Sequence, residues 1–217
     1  MTHEKWARRS LVTGLSASLG AFVFGSKAAA QTTPSAFQPA RHAQDEWFDK
    51  LPGKHRVFID VISGTGAGEA VGFANNLYTT NKDAYGLEDA DLAIIMCLRH
   101  SATVFAFTDV LWSKHGKAMA DAAKYTNPRA TEPPTANPYT VAPRDAFGAL
   151  TKRGMQFAVC NTASRRFSRA LAGPDGDAEA MYKTMAANMI PSSRFVPAGV
   201  AALTRSQEYG YSLLYAG

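Results

Sequence analysis

Cysteine is scarce: Cys97 and Cys160 are the only two in 217 residues, too few for a disulfide scaffold. Neither has a partner cysteine or a histidine at zinc-site spacing, and His42, His55 and His115 are scattered, so no metal site is indicated. No G-x-S-x-G elbow occurs, which removes the α/β-hydrolase nucleophile. No pair of carboxylates stands out for general acid–base work. Residues 31–217 hold no basic run with interleaved aromatics, and so no nucleic-acid footprint. They hold no second apolar stretch of membrane length and no internal repeat. Nothing in the sequence calls for a cofactor.

What is present begins at the N-terminus. Trp6-Ala7-Arg8-Arg9-Ser10-Leu11-Val12 opens an uncharged run to Ser26, which closes on Ala28-Ala29-Ala30 before Gln31. A basic start, a short apolar stretch and a small-residue cleavage site make a secretory signal, and the paired arginines predict twin-arginine export. The run is too short for a membrane span and has the wrong flanks. The expected compartment is therefore the periplasm, where thiols meet oxidising conditions. Lys5, Arg8, Arg9 and Lys27 against Glu4 place more than half of the formal net charge of +5 in that signal. The sequence pI near 9.2 thus says little about partners. Residues 1–30 read as the signal, 31–53 as an extended linker rich in Pro, Ala, Thr and Gln, and 54–217 as one domain.

Within that domain, apolar runs alternate with helical patterns. His55–Ile62 reads as a buried strand between Gly53 and Gly64. The turn Gly64–Gly68 leads to a helix with Val71, Ala74, Leu77 and Tyr78 on one face. Ala90–Leu98 is almost continuously apolar, as a strand covered on both faces should be. Ser101 is the candidate N-cap of a helix through Lys114, with Gly116 as its stop. Five prolines across 126–143 predict a surface loop, a candidate lid or subunit contact. A short helix over 144–153, a strand Met155–Cys160, a helix from Thr162 that pauses at Gly173–Gly176, a strand near Arg194–Val196, a helix to Gly210 and a strand Tyr211–Tyr215 complete the pattern. Together they predict a three-layer α/β/α domain with a mainly parallel sheet of about five strands. Ligands in such sheets sit beyond the carboxyl ends of the strands. Four segments reach that edge: Ser63–Gly68, Arg99–Ser101, Cys160–Ser164 and Val196–Gly199.

Cys160 is the sharpest candidate, a thiol where a strand ends and a helix begins. Helix amides and Arg165 and Arg166 in the first turn favour a thiolate there. Cys97, among Ile94, Ile95, Met96 and Leu98, reads as buried. The two cysteines leave three readings open: one disulfide, two buried apolar thiols, or at least one reactive thiol. Arg99 and His100, directly after the second strand, suit an anion, and His100 can shuttle protons; a salt bridge with helix capping is the bland alternative. The Gly64-x-Gly66-x-Gly68 spacing departs from the dinucleotide fingerprint, and Arg99-His100 stands where a ribose-binding acid is needed. A tight turn that brings the helix close accounts better for those glycines.

The ordered set of Val57–Val61, Asn75-Asn76, Gly154–Cys160 and Val196–Val200 through Gln207–Tyr211 resembles the DsrE/DsrF-like family of sulfur-relay proteins. Leu98-Arg99-His100-Ser101-Ala102 with Asp109-Val110-Leu111-Trp112 is similar to an exported branch of it. The resemblance spans roughly residues 54–217. It implies an α/β/α domain that assembles into homo-oligomers, with Cys160 matching a cysteine that accepts sulfane sulfur as a persulfide and exchanges it with a donor or acceptor protein. Three functions follow as expectations. The first is a periplasmic sulfur carrier, with Cys160 as nucleophile, Arg165 and helix amides stabilising it, and Arg99 and His100 positioning the donor. The second is a non-catalytic module whose crest around Gly66, Arg99, His100 and Asn161 holds a small anion, a cofactor or a partner. The third is a redox protein cycling Cys97 and Cys160.

Overall fold

The computed structural model describes residues 38–127 and 131–217; the expected signal peptide lies outside them. The first helix, α1 (Trp47–Lys50), follows a 3₁₀ turn, and its Trp47 and Phe48 are buried. The extended linker expected over 31–53 therefore ends early, because two large aromatic side chains find a core to enter. Strand β1 (His55–Val61) leads through Ser63 into α2 (Gly64–Tyr85), and β2 (Leu92–Leu98) is buried at all seven positions. Helices α3 (Asp109–Ala123) and α4 (Ala146–Lys152) precede β3 (Gln156–Cys160). Then come α5 (Asn161–Ala172), α6 (Ala178–Ala187), β4 (Ser193–Val196), α7 (Gly199–Glu208) and β5 (Ser212–Ala216).

All strand pairings are parallel, in the order β4-β3-β2-β1-β5. Three connections step the chain from β1 to β4, and their helices share one face with α2. Ile59, Val61, Ile94, Met96, Phe157 and Val159 point to that face, against residues from α2 through α6. The last connection, through α7, crosses back over the opposite face to place β5 beside β1. Phe58, Ile95, Cys97 and Ala158 point there, against Trp47 and Phe48 of α1 and Ala202 of α7. The domain is thus a three-layer α/β/α sandwich, as strand–helix alternation requires. No helix among the described residues is long and apolar enough to cross a membrane.

The expected Gly64–Gly68 turn is the first turn of α2, and two boundaries around α3 differ from expectation, each for a local reason. The helix expected to start at Ser101 is instead a 3₁₀ segment, His100–Ala106, followed by α3 from Asp109. Ser101 Oγ donates to Ile62 O at 2.7 Å rather than capping. Buried Asn137 donates to the carbonyls of Phe105 and Phe107 at 2.8 Å each, taking them out of the α-helical ladder. Gly116 does not stop α3 but sits inside it, where a Cβ would overlap the Pro134 carbonyl. The described parts of the 126–143 loop are tied down accordingly. Tyr139 OH donates to Gly64 O at 3.0 Å, and its ring packs on Phe105 and Phe147.

Candidate functional site

The crossover to the second face creates the site. The chain leaves β3 into α5 on one face and leaves β4 into α7 on the other. Neighbouring strands whose helices part in this way open a crevice at the carboxyl edge, the position where α/β sheets take ligands. A cleft of about 350 Å³ lies there, between Cys160, Thr162, Ala163, Arg166 and Arg169 on one wall and Ala198, Gly199 and Val200 on the other. Arg99 and His100, following β2, close its third side. Three of the four edge segments expected from the sequence converge on it.

Cys160 is the N-cap of α5. Its Sγ accepts the Ala163 N–H at 3.4 Å, and Ser164 Oγ donates to the Cys160 carbonyl at 3.0 Å. Position at the strand end thus puts sulfur against the positive end of a 12-residue helix whose first turn holds no acid. The side chain is nearly buried, at 7% exposure, and its open side faces the cleft. Thr162 Oγ1 donates to Pro197 O at 3.0 Å and ties the start of α5 to the end of β4.

Of the two purposes open to it, an anion site or a salt bridge, Arg99 serves the salt bridge. Its Nε and Nη2 donate to the two carboxylate oxygens of Asp60 at 2.6 and 2.8 Å, and Asp60 is buried within β1. That bidentate pair, above all its hydrogen bond, raises the Arg99 pKa further and neutralises its charge locally. The arginine stem runs beneath Gly199, where a Cβ would stand 2.5 Å from Arg99 Cβ. Arg99 is therefore a fixed pillar of the cleft rather than a free cation. Asp60 was legible as a lone acid in the apolar strand VFIDV, since a buried charge needs a partner.

His100 is exposed in the left-handed region at φ 54°, uncommon for a non-glycine residue, and its Nδ1 lies 3.4 Å from Ser101 Oγ. Because Ser101 gives its own proton to Ile62 O, the Nδ1 contact calls for the proton on Nδ1.

The structure turns three expected residues away from the cleft. Arg165 pairs with Glu179 at 3.0 Å and stacks over Tyr182. Asn161 accepts the Tyr182 hydroxyl at 2.6 Å. Both hold α5 to α6. Gly66 is buried in the first turn of α2, and a Cβ there would overlap the Ala216 carbonyl, so close packing against β5 is what needs a glycine. Besides the paired Arg99, the arginines that line the cleft are Arg166 and Arg169. Among the described residues neither has a carboxylate partner. Thr162, Arg166 and Arg169 recur at i, i+4 and i+7, one stripe of a helix, so the spacing was present in the sequence; which stripe met the cleft was not.

Cys97 lies on the α7 side of β2, fully buried, with Sγ 4.0 Å from Gly199 O. Burial pushes its thiol well above the usual range, and the Asp60 charge adds to this. Both cysteines are free thiols in this structure. A separate groove of about 320 Å³, along α2 and Leu214, is mostly apolar and lacks a nucleophile or a charged side chain.

No family model matches the chain, and no curated protein matches it. Among solved structures it is similar to a protein of unknown function, MTH1491, from Methanobacterium thermoautotrophicum. The likeness has 13% identity and a TM-score of 0.45, and covers 75% of this chain and 99% of that one.

Proposed function

We propose that the protein is an exported sulfane-sulfur carrier that holds a persulfide on Cys160. The observation that carries the reading is the Cys160 sulfur itself, bonded to the Ala163 amide and open to a cleft with Arg166, Arg169 and His100. The thiolate form of a cysteine is the sulfur nucleophile. The Cys160 thiolate attacks the terminal sulfur of a donor persulfide. A new S–S bond forms on Cys160, the donor's S–S bond breaks, and the electron pair leaves on the donor thiolate. Delivery is the same exchange in reverse, so no external oxidant or reductant enters. The resemblance to the DsrE/DsrF-like family supports this chemistry and adds assembly with copies of itself, which sedimentation of the purified chain reads directly. The signal supports the periplasm as the place of work.

Intact mass before and after reduction, on protein purified from the periplasm without reductant, tests the carrier. The expected result is a reducible gain of one sulfur atom that maps to Cys160 and vanishes in Cys160→Ser. Loss of two hydrogens would point to a Cys97–Cys160 disulfide instead.

One observation favours a second reading: Cys160 is only 7% exposed. In that reading the cleft is a non-catalytic anion site and the thiol is part of its wall. Cys160→Ser then leaves anion binding intact, while His100→Ala and Arg166→Ala lose it.

A further inference from the structure

We propose that the donor taken by this cleft is a small sulfur oxyanion of the thiosulfate class, held by Arg166 and Arg169; this rests on the carrier reading of Cys160. Among the described residues no acidic side chain lines the cleft, and Asp60, which holds the cleft residue Arg99, is already committed to it. Arg166, Arg169 and His100 remain as the groups that meet a ligand. A guanidinium presents paired N–H donors that match two oxygens of a tetrahedral oxyanion, where an ammonium offers only a point charge. The rest of the wall near the thiol is small: Ala163, Ala198 and Gly199 leave a terminal sulfur room to approach Sγ. About 350 Å³ lies at the small-molecule end of ligand sites.

The chemistry balances without a further reagent. The Cys160 thiolate attacks the outer, sulfane sulfur of thiosulfate. The new S–S bond forms at Cys160, the S–S bond of thiosulfate breaks, and its electron pair leaves on sulfite. One thiolate and one dianion become one persulfide anion and one sulfite dianion. Atoms and charge are conserved, and the cations that oriented the donor also face the developing charge on the leaving sulfite.

The test uses the reduced full chain with thiosulfate, or with inorganic polysulfide, reading intact mass and released sulfite. Wild-type protein is expected to gain one sulfur from either reagent, with one sulfite released per sulfur gained from thiosulfate. Arg166→Gln with Arg169→Gln is expected to slow loading from thiosulfate by roughly tenfold or more. Alkylation of Cys160 by uncharged iodoacetamide should stay within about twofold. If alkylation also falls, sulfate competition on the wild type decides: slowed loading supports the site, and undiminished loading overturns it. Equal loading of both forms by thiosulfate overturns the arginine assignment. Loading by polysulfide alone overturns the oxyanion donor and leaves the carrier standing. Loading by neither overturns the carrier itself.

Discussion

Cys97 and Cys160 sit on adjacent strands, both free and both counted as buried, yet their surroundings differ in kind. Cys97 stands inside β2, opposite Asp60 on one side and Ala158 on the other, with no opening to solvent. Desolvation and the Asp60 charge both oppose its thiolate, and a charge on Cys160 would oppose it further. Cys160 stands one step past the last pairing of β3 with β2, where the chain turns into α5. There the sulfur meets a helix amide and the edge of a cleft that carries positive charge. Seven per cent of exposure separates the two. The larger difference lies in the chain's geometry: strand interiors bury a thiol among side chains, whereas strand ends hand it to backbone amides.

The sharpest way to break that comparison is to exchange the roles. Cys160→Ser is expected to abolish sulfur loading by intact mass, while Cys97→Ala keeps it at one sulfur per chain. Loading retained in the serine variant, or lost in the alanine variant, would end the assignment.

Next in size is the pair beneath the cleft. Arg99→Met strips Asp60 of its partner while leaving the carboxylate buried, a change that costs about 3–5 kcal/mol in such settings. Chemical denaturation should show that loss, and Asp60→Asn with Arg99→Met should recover a good part of it. A loss below about 1 kcal/mol would mean that Arg99 is not the pillar its contacts describe.

Much of this architecture could be read from residues. The run Ala90–Leu98 announced a strand covered on both faces, and β2 is buried throughout. Cys160 at a strand-to-helix junction was visible because Gly154 starts the strand and polar residues follow it. What escaped was direction. Arg165 and Arg166 are neighbours in sequence, but 100° of helical turn sends one to Glu179 and the other to the cleft. That choice depends on α7 lying on the far face, a non-local fact set by the final crossover. Gly116 was read as a stop and Gly66 as part of a tight turn that brings the helix close. Close packing is what Gly66 serves, but neither ends or turns the chain, because a glycine reserved for a passing carbonyl looks the same in sequence as one reserved for a turn.

Gly199→Ala probes the same wall from α7. The added methyl would press on the Arg99 stem, so it is expected to cost about 1–3 kcal/mol and to change the iodoacetamide rate at Cys160. A stability unchanged within about 0.5 kcal/mol would show that the arginine moves aside freely.

The smallest effect separates the thiols by pH. Cys97 is held neutral by burial, so its folded pKa lies above the unfolded value of about 8.5. A group raised in this way contributes its full stability below the unfolded pKa and loses it as pH climbs toward the folded one. Tyr78 and Tyr211, pushed up to about 12, chiefly by burial, behave alike but start later, above about pH 10. Wild-type protein should therefore begin to lose stability near pH 9, and Cys97→Ala should hold its own, lower value flat until the tyrosines titrate near pH 10. Denaturation midpoints between pH 7 and 11 read the difference. An identical early decline in both proteins would mean that Cys97 ionises as easily folded as unfolded, and the contrast between the two thiols would collapse to their exposure alone.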